Sequence, residues 1–260
     1  MLPGKEAYPM NDVILTTVDL TKRFGGLTAV DKVSIEVIEG EILGILGPNG
    51  AGKTTLFNIL SGYFGPTEGA FIYKGRDITR LSSEKIASLG IVRTYQIVRL
   101  FDKLTVYENL LIPCLSPRMS AKLKDKKSRE NYIENLAEEV GISEFLDSHT
   151  EGLSHGVRKL VEFGRALAND PDVLLLDEPF SGLNPVEVEP LANVIRNFHK
   201  KGNTILIIEH KLREFMKLVE RVIAMDRGKI IASGSVKEIS ENPLVVEAYL
   251  GKGASRFVGA

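Results

Sequence analysis

Tryptophan is absent from this 260-residue chain, and cysteine occurs once, as Cys114. A lone cysteine excludes an intramolecular disulfide framework and a thiolate metal cluster, and it fits a reducing compartment. Set in the apolar run LLIPCL, Cys114 reads as a small buried residue. Charge of one sign is lacking too. The 33 Lys and Arg balance 34 Asp and Glu to a formal net charge of −1, so no bulk attraction to nucleic acid or anionic lipid is expected. Long hydrophobic runs are missing. VLLL and ILII fall far short of the roughly 20 apolar residues that a bilayer-spanning helix needs. The opening MLPGKEAYPMND has no apolar stretch of the signal-peptide kind. The chain is therefore expected to be soluble by itself, with any membrane role supplied through a partner.

What is present is a mixed α/β rhythm. A hydrophobic content of 43% in 260 residues suffices for one large domain, or one domain with a subdomain. VSIEVIEG and GAFIYKG alternate like half-exposed strands, while EILGILG is a short apolar run ending in glycine, the pattern of a buried strand. KTTLFNILSG reads as a helix closed by Gly62. From Ile97 to about Ala168 only helical periodicity is visible, clearest in TVYENLLI and SRENYIENLAEEVG. The basic run SPRMSAKLKDKKSRE between them reads as a solvated connection. From Pro171 the α/β pattern returns: VLLLD and NTILIIE as strands, PVEVEPLANVIRNFHKKG and HKLREFMKLV as helices, RVIAMDRGKIIASG as a hairpin, and NPLVVEAYLG as a closing helix capped by Asn242 with Pro243 in its first position.

GPNGAGKTT, Gly47 to Thr55, matches the pattern G-x-x-x-x-G-K-[ST] between a buried strand and a helix. Glycines let backbone N–H groups turn inward around phosphate oxygens, and the following helix adds its positive end. Gly47, Asn49, Gly50, Gly52, Lys53, Thr54 and Thr55 are the candidate nucleotide contacts. Lys53 supplies a point charge for the β- and γ-phosphates, and the Thr54 hydroxyl is a ligand for Mg2+. The second expected element is an acidic residue closing a buried strand. VLLLDEP supplies Asp177, to hold Mg2+ through its water shell, and Glu178, to polarise an attacking water. Together these imply a nucleoside triphosphatase. An Asn-Lys-x-Asp base-reading motif is missing, which leans toward ATP over GTP.

In this order and spacing the motifs resemble the ATP-binding subunits of ABC transporters, from about Val13 to Lys252. The resemblance implies an α/β fold: a P-loop NTPase core with an N-terminal antiparallel β part and an inserted helical subdomain. The core would be 1–96 and 169–260, and 97–168 would be the helical subdomain carrying the signature motif. TYQ marks Gln96 as the switch glutamine, a bond partner for the attacking water or Mg2+, and IIEH marks His210 as the switch histidine. LSHG stands at the signature position, and SGLNP resembles the loop that crosses a dimer interface. Phe24, in TKRFGG, falls at the aromatic position that stacks on adenine with little base selectivity, the other reading being a core residue. His149 and His199 read as exposed polar positions.

The family works as a head-to-tail pair, so the resemblance implies ATP held between the loop of one cassette and Ser154 and Gly156 of another, at the start of the helix VRKLVEFGRALAND. It also implies integral membrane permease subunits, an extracytoplasmic binding protein acting indirectly, no nucleic acid, and a peripheral place on the cytoplasmic face of the membrane. Three residues depart from the family pattern: His155 for glycine, Val157 for glutamine, and Asn184 for aspartate. VRTYQ, SGLNP, IEH and the ending NPLVVEAYLGK look narrowly like the ATPases of branched-chain amino-acid importers, with relatives serving urea import and lipopolysaccharide export. Arg99, Leu100 and Phe101 are candidate permease contacts. A soluble ABC ATPase acting on nucleic acid or ribosomes is the alternative, disfavoured by the short insert without heptads. A cassette that binds but does not hydrolyse is a third reading, disfavoured by Glu178 and His210.

Overall fold

A computed structural model describes residues 13–250; the expectation of no signal peptide concerns residues 1–12 and lies outside them. The chain opens with strands β1 (Val13–Phe24), β2 (Leu27–Ile38) and β3 (Ile42–Leu46), followed by helix α1 (Lys53–Leu60). Next come β4 (Glu68–Tyr73), β5 (Arg76–Asp77), α2 (Ser83–Leu89) and β6 (Ile91–Arg93). Four helices then succeed one another: α3 (Val106–Cys114), α4 (Pro117–Ser120), α5 (Lys126–Val140) and α6 (His155–Leu167). The last part runs β7 (Val173–Asp177), α7 (Pro185–Lys200), β8 (Thr204–Ile208), α8 (Leu212–Phe215), β9 (Arg221–Asp226), β10 (Lys229–Ser235), α9 (Val236–Glu241) and α10 (Pro243–Leu250).

Two sheets form. The smaller is antiparallel, in the order β2-β1-β4-β5; the larger has the order β10-β9-β3-β8-β7-β6, parallel from β9 to β6 with β10 as an antiparallel edge. Its central strands β3, β7 and β8 are buried at every residue, which is why their sequences are unbroken apolar runs without alternation. One core fills the space between the two sheets and α1, through residues such as Leu15, Phe57 and Ile223. The other lies under the opposite face of the large sheet, where Leu110, Ile133 and Val161 of the helical stretch join Leu174, Ile195 and Ile207.

The apolar periodicities match the observed elements over most of the chain. Cys114 is buried, and Gly62 and Gly141 take left-handed backbones just past α1 and α5. β1, α2 and β6 carry no clear pattern: β1 is broken by register irregularities against β2 and β4, which interrupt its alternation, and β6 has three residues. The helix expected over HKLREFMKLV shrinks to α8, Leu212–Phe215. The basic run is not simply solvated. Arg118 donates to the carbonyls of Leu89 (2.9 Å) and Asp170 (2.7 Å) and to the Asp172 carboxylate (2.7 Å), and Met119 is buried. His199 is half-buried, its Nε2 2.6 Å from the Gly40 carbonyl, whereas His149 is exposed.

Candidate functional site

β3 delivers the chain into the loop Gly47–Thr55, where Gly47, Gly50 and Gly52 have φ of +155°, +83° and +98°. A Cβ on Gly47 would lie 2.3 Å from the Met225 carbonyl oxygen, and one on Gly52 2.3 Å from that of Ala29. Both positions therefore require glycine for space as well as for conformation. α1 begins at Lys53 with Gly52 as N-cap and no side-chain cap, so its first-turn N–H groups are left for a ligand or water. The buried Lys53 donates from Nζ to the carbonyls of Gly47 (2.6 Å) and Pro48 (3.1 Å). Burial lowers its pKa, opposed by the charges of Glu178 and Asp177. Asn49, Gly50 and Thr54 are exposed and Thr55 is half-buried. A cradle shaped for glycine, a positive helix end and a poised ammonium fit a polyphosphate.

Parallel pairing brings the carboxyl ends of β3, β6, β7 and β8 to one edge of the sheet, the place where open α/β sheets bind ligands. Asp177 closes β7 opposite Ile208. Its Oδ2 accepts a 2.7 Å bond from Arg93 Nη2, and the two side chains are only 6% and 4% exposed. Arg93 also donates to Asn58 Oδ1 (2.7 Å) and Ser61 Oγ (3.2 Å). The sequence reading did not single out Arg93; a charge on the strand bordering β7 is the signal that could have done so. Among the described residues no cluster of three or more His, Cys, Asp or Glu could hold a metal. A Mg2+ ion held by Thr54 and Asp177 would then need phosphate oxygens as further ligands, the usual arrangement for this ion.

Glu178 has φ +49°, an uncommon backbone for a residue with a side chain, and its N–H bonds the Ile208 carbonyl at 2.8 Å. Its carboxylate accepts from Gln96 Nε2 at 2.8 Å and lies 3.0 Å from His210 Nε2. Gln96, Glu178 and His210, far apart in the chain, thus meet at one carboxylate. Glu209, which the sequence reading passed over, is buried and braces this edge. One of its oxygens accepts from the Phe180 amide (3.0 Å), the other from the amides of His210 (2.9 Å) and Lys211 (3.1 Å).

Ser154 is the N-cap of α6, its Oγ accepting from the Val157 amide at 3.4 Å. Gly156 is buried against α7: a Cβ there would lie 2.7 Å from Glu187 Oε1. The exposed His155 leans on Gly182, where a Cβ would lie 2.8 Å from its Nε2. Asn184 caps α7 and accepts from the Val186 and Glu187 amides. Within this chain no hydrogen bond joins Ser154 or Gly156 to Gly47–Thr55, Asp177 or Glu178 among the described residues. Phe24 is 46% exposed and meets Phe64 edge-on at 5.5 Å, which rules out the core reading. Ile97 and Phe101 are 76% and 49% exposed. The Arg165 guanidinium, 5.3 Å from the Phe101 ring, lines a cleft of about 260 Å³ with Val92, Thr94, Tyr95, Pro113 and Glu162, among others.

With this geometry in hand, comparison with known proteins gives a consistent result. Residues 30–181 match the ABC transporter family, and residues 229–255 match the branched-chain amino acid ATP-binding cassette transporter family. The high-affinity branched-chain amino acid transport ATP-binding protein LivG of Salmonella typhimurium is 39% identical over 94% of this chain and the whole of its own. The lipopolysaccharide export system ATP-binding protein LptB of Haemophilus influenzae is 38% identical over 92% of this chain and 98% of its own. A crystal structure of the ADP conformation of an ATP-binding cassette of an ABC transporter superposes with a TM-score of 0.82 at 35% identity, covering 92% of this chain and 99% of that one. A family match over more than half of the chain, together with relatives that are similar from end to end, leaves one assignment: this chain belongs to the ABC transporter family, as an ATP-binding cassette and an ATPase.

Proposed function

We propose that the chain is the motor subunit of an ABC importer for branched-chain or related amino acids, working as a pair of cassettes that ATP draws together. The observation that carries the hydrolytic part is the Glu178 carboxylate, bonded by Gln96 at 2.8 Å and 3.0 Å from His210. In this reading Glu178 takes the proton of the attacking water, His210 donates to a γ-phosphate oxygen, and Gln96 senses the γ-phosphate. Lys53 and the amides of Gly47–Thr55 hold the phosphates, and Phe24 stacks on adenine. Thr54, Asp177 and Gln96 would hold Mg2+, whose charge offsets that developing on the phosphates. Ser154 and Gly156 serve the nucleotide of the opposite cassette, with Ser154 at the start of α6, where the helix end favours an anion. Glu178→Gln should keep ATP binding and lower phosphate release by about 10²–10⁴-fold; release at the parent rate would refute the assignment.

The helical stretch 97–168, read as a unit against the core of 1–96 and 169–260, carries the motion to the membrane subunits. The exposed Ile97 and Phe101, the latter against the Arg165 that lines the cleft, support docking there. No helix of the described residues is long and apolar enough to cross a membrane, in keeping with a chain held on the cytoplasmic face by permease subunits. The binding protein acts through them. Leu100, expected as a contact, is instead half-buried against the core beneath the large sheet, so the test is Ile97→Glu with Phe101→Glu: it should spare ATP binding and abolish co-purification with the permease, and undiminished assembly would count against this surface. The similarity to a lipopolysaccharide exporter subunit sustains a second reading, export. Transport of radiolabelled leucine into vesicles by the assembled complex distinguishes the two.

A further inference from the structure

The parallel ladders of β3 end at Ile45 against β8 and at Leu46 against β9. The next amide, on the buried Gly47, lies beyond both, and a buried N–H without a partner is costly. The partner comes from the far end of the chain. Gly47 N–H donates to the Tyr249 hydroxyl at 2.7 Å, across 202 residues. The carbonyl of the same glycine accepts from Lys53 Nζ at 2.6 Å, and on a third side a Cβ would strike the Met225 carbonyl oxygen. The amide that opens the loop is thus held by a helix far from it in the chain.

That helix is well placed to hold it. α10 is fixed by Val245, which is fully buried in the core beneath the large sheet, and its start is tied by the bond from the Leu244 amide to Asn242 Oδ1. Burial pushes the Tyr249 hydroxyl up to about 12, against the pull of the Gly47 amide, so it is a neutral acceptor at working pH and adds no negative charge beside a phosphate.

From this geometry we infer that Tyr249 is a positioning residue of the phosphate loop, through which the C-terminal helix sets nucleotide affinity. The inference rests on the reading of Gly47–Thr55 as that loop. Lys53 Nζ donates to the Gly47 and Pro48 carbonyls, and the third of its N–H groups is left for a phosphate. A bound phosphate competes for that ammonium, so more of the hold on the Gly47 backbone falls to the Tyr249 bond on the Leu46–Gly47 amide, and its loss weakens the nucleotide-bound form more than the empty one.

The test compares the full-length parent, Tyr249→Phe and Lys53→Ala. Phenylalanine keeps the ring and removes the hydroxyl, acceptor and donor alike. Tyr249→Phe should bind ATP about fivefold more weakly and raise KM for ATP to match, with kcat within about twofold, as one modest hydrogen bond implies. A merely structural role would lower the melting temperature and leave KM unmoved. If Lys53→Ala abolishes binding while Tyr249→Phe binds ATP like the parent, the inference is overturned and the loop reading stands. If Lys53→Ala binds like the parent, the loop reading itself fails. Amide exchange in the unmodified, nucleotide-free protein gives an independent check that needs no variant: Gly47 N–H should exchange slowly, and rapid exchange overturns the inference.

Discussion

The buried Lys159 Nζ donates to the main-chain carbonyl of Gln96 at 3.0 Å. One helix therefore carries both Ser154, at its start, and the ammonium that holds the peptide of the residue bonded to Glu178. Lys159 also faces the buried Glu162 carboxylate at 3.9 Å, whose Oε1 accepts from the Arg99 amide. Burial lowers the Lys159 pKa and raises that of Glu162. Lys159→Met leaves the carboxylate with the Arg99 amide and the charge of Arg165 and should cost about 1–2 kcal/mol of stability in urea unfolding. Adding Glu162→Gln should recover most of that loss, a coupling that a double-mutant cycle reads directly.

Lys53 leads to a pH prediction. Burial depresses its pKa, so raising the pH neutralises it before the ordinary lysine value of about 10.4 is reached. A neutral amine no longer attracts phosphate. ATP affinity should be level near neutrality and fall as the pH rises through this depressed value. Lys53→Arg should bind more weakly at neutral pH and show no such alkaline fall, because guanidinium stays charged. Calorimetric titration across the alkaline range measures both.

Phe24 is exposed beside Phe64 and Lys22, whose Nζ lies 5.3 Å from the Phe24 ring. As a stacking face it should contribute roughly 1–3 kcal/mol to nucleotide binding. Phe24→Ala should weaken ATP and GTP by similar factors, and Phe24→Trp should restore both. Binding of a fluorescent analogue, competed by each nucleotide, is the measurement.

Asp172 ties three parts of the fold together, accepting from Tyr73 Oη (2.7 Å), Lys74 Nζ (2.6 Å) and Arg118 Nη2 (2.7 Å). Burial pushes its pKa up, but the bonds from Lys74 and Tyr73 and the charge of Arg118 outweigh it, and the net shift is downward. A folded value below the unfolded one stabilises the protein above the ordinary carboxylate pKa of about 3.9, and that contribution is lost as the pH falls through the folded value. Asp172→Asn should cost about 1–2 kcal/mol at pH 7. The deficit should shrink in acid below pH ~4, which unfolding curves at both pH values will show.

Legibility from the sequence followed the range of the interactions. The loop, its strand and its helix could be read because their cause is local: glycines where φ is positive, an apolar run before them and a helical period after. Asp177 and Glu178 stood out because a carboxylate pair ends a buried strand. Gln96 and His210 had no local signature and were marked by family resemblance alone. Arg93, Lys159, Glu209 and Tyr249 escaped notice. Arg93 meets Asp177 across 84 residues, Lys159 meets Gln96 across 63, and Gly47 meets Tyr249 across 202, and nothing in a short window records such a pairing.

By itself, then, the amino-acid sequence determined the pieces: a glycine loop between a strand and a helix, buried strands, a helix capped by Ser154, and a turn ending at Asn184. Backbone conformation and apolar periodicity are properties of neighbouring residues, so they are written in order along the chain. Only the tertiary structure decided that Gln96, Glu178 and His210 share one carboxylate, that Arg93 balances Asp177, and that the C-terminal helix holds the first peptide of the loop. The register of β3 beside β8, and of β8 beside β7 and β7 beside β6, brings strand ends from distant segments to a single edge. That alignment comes from burying the strands together, a cooperative outcome that no single segment contains.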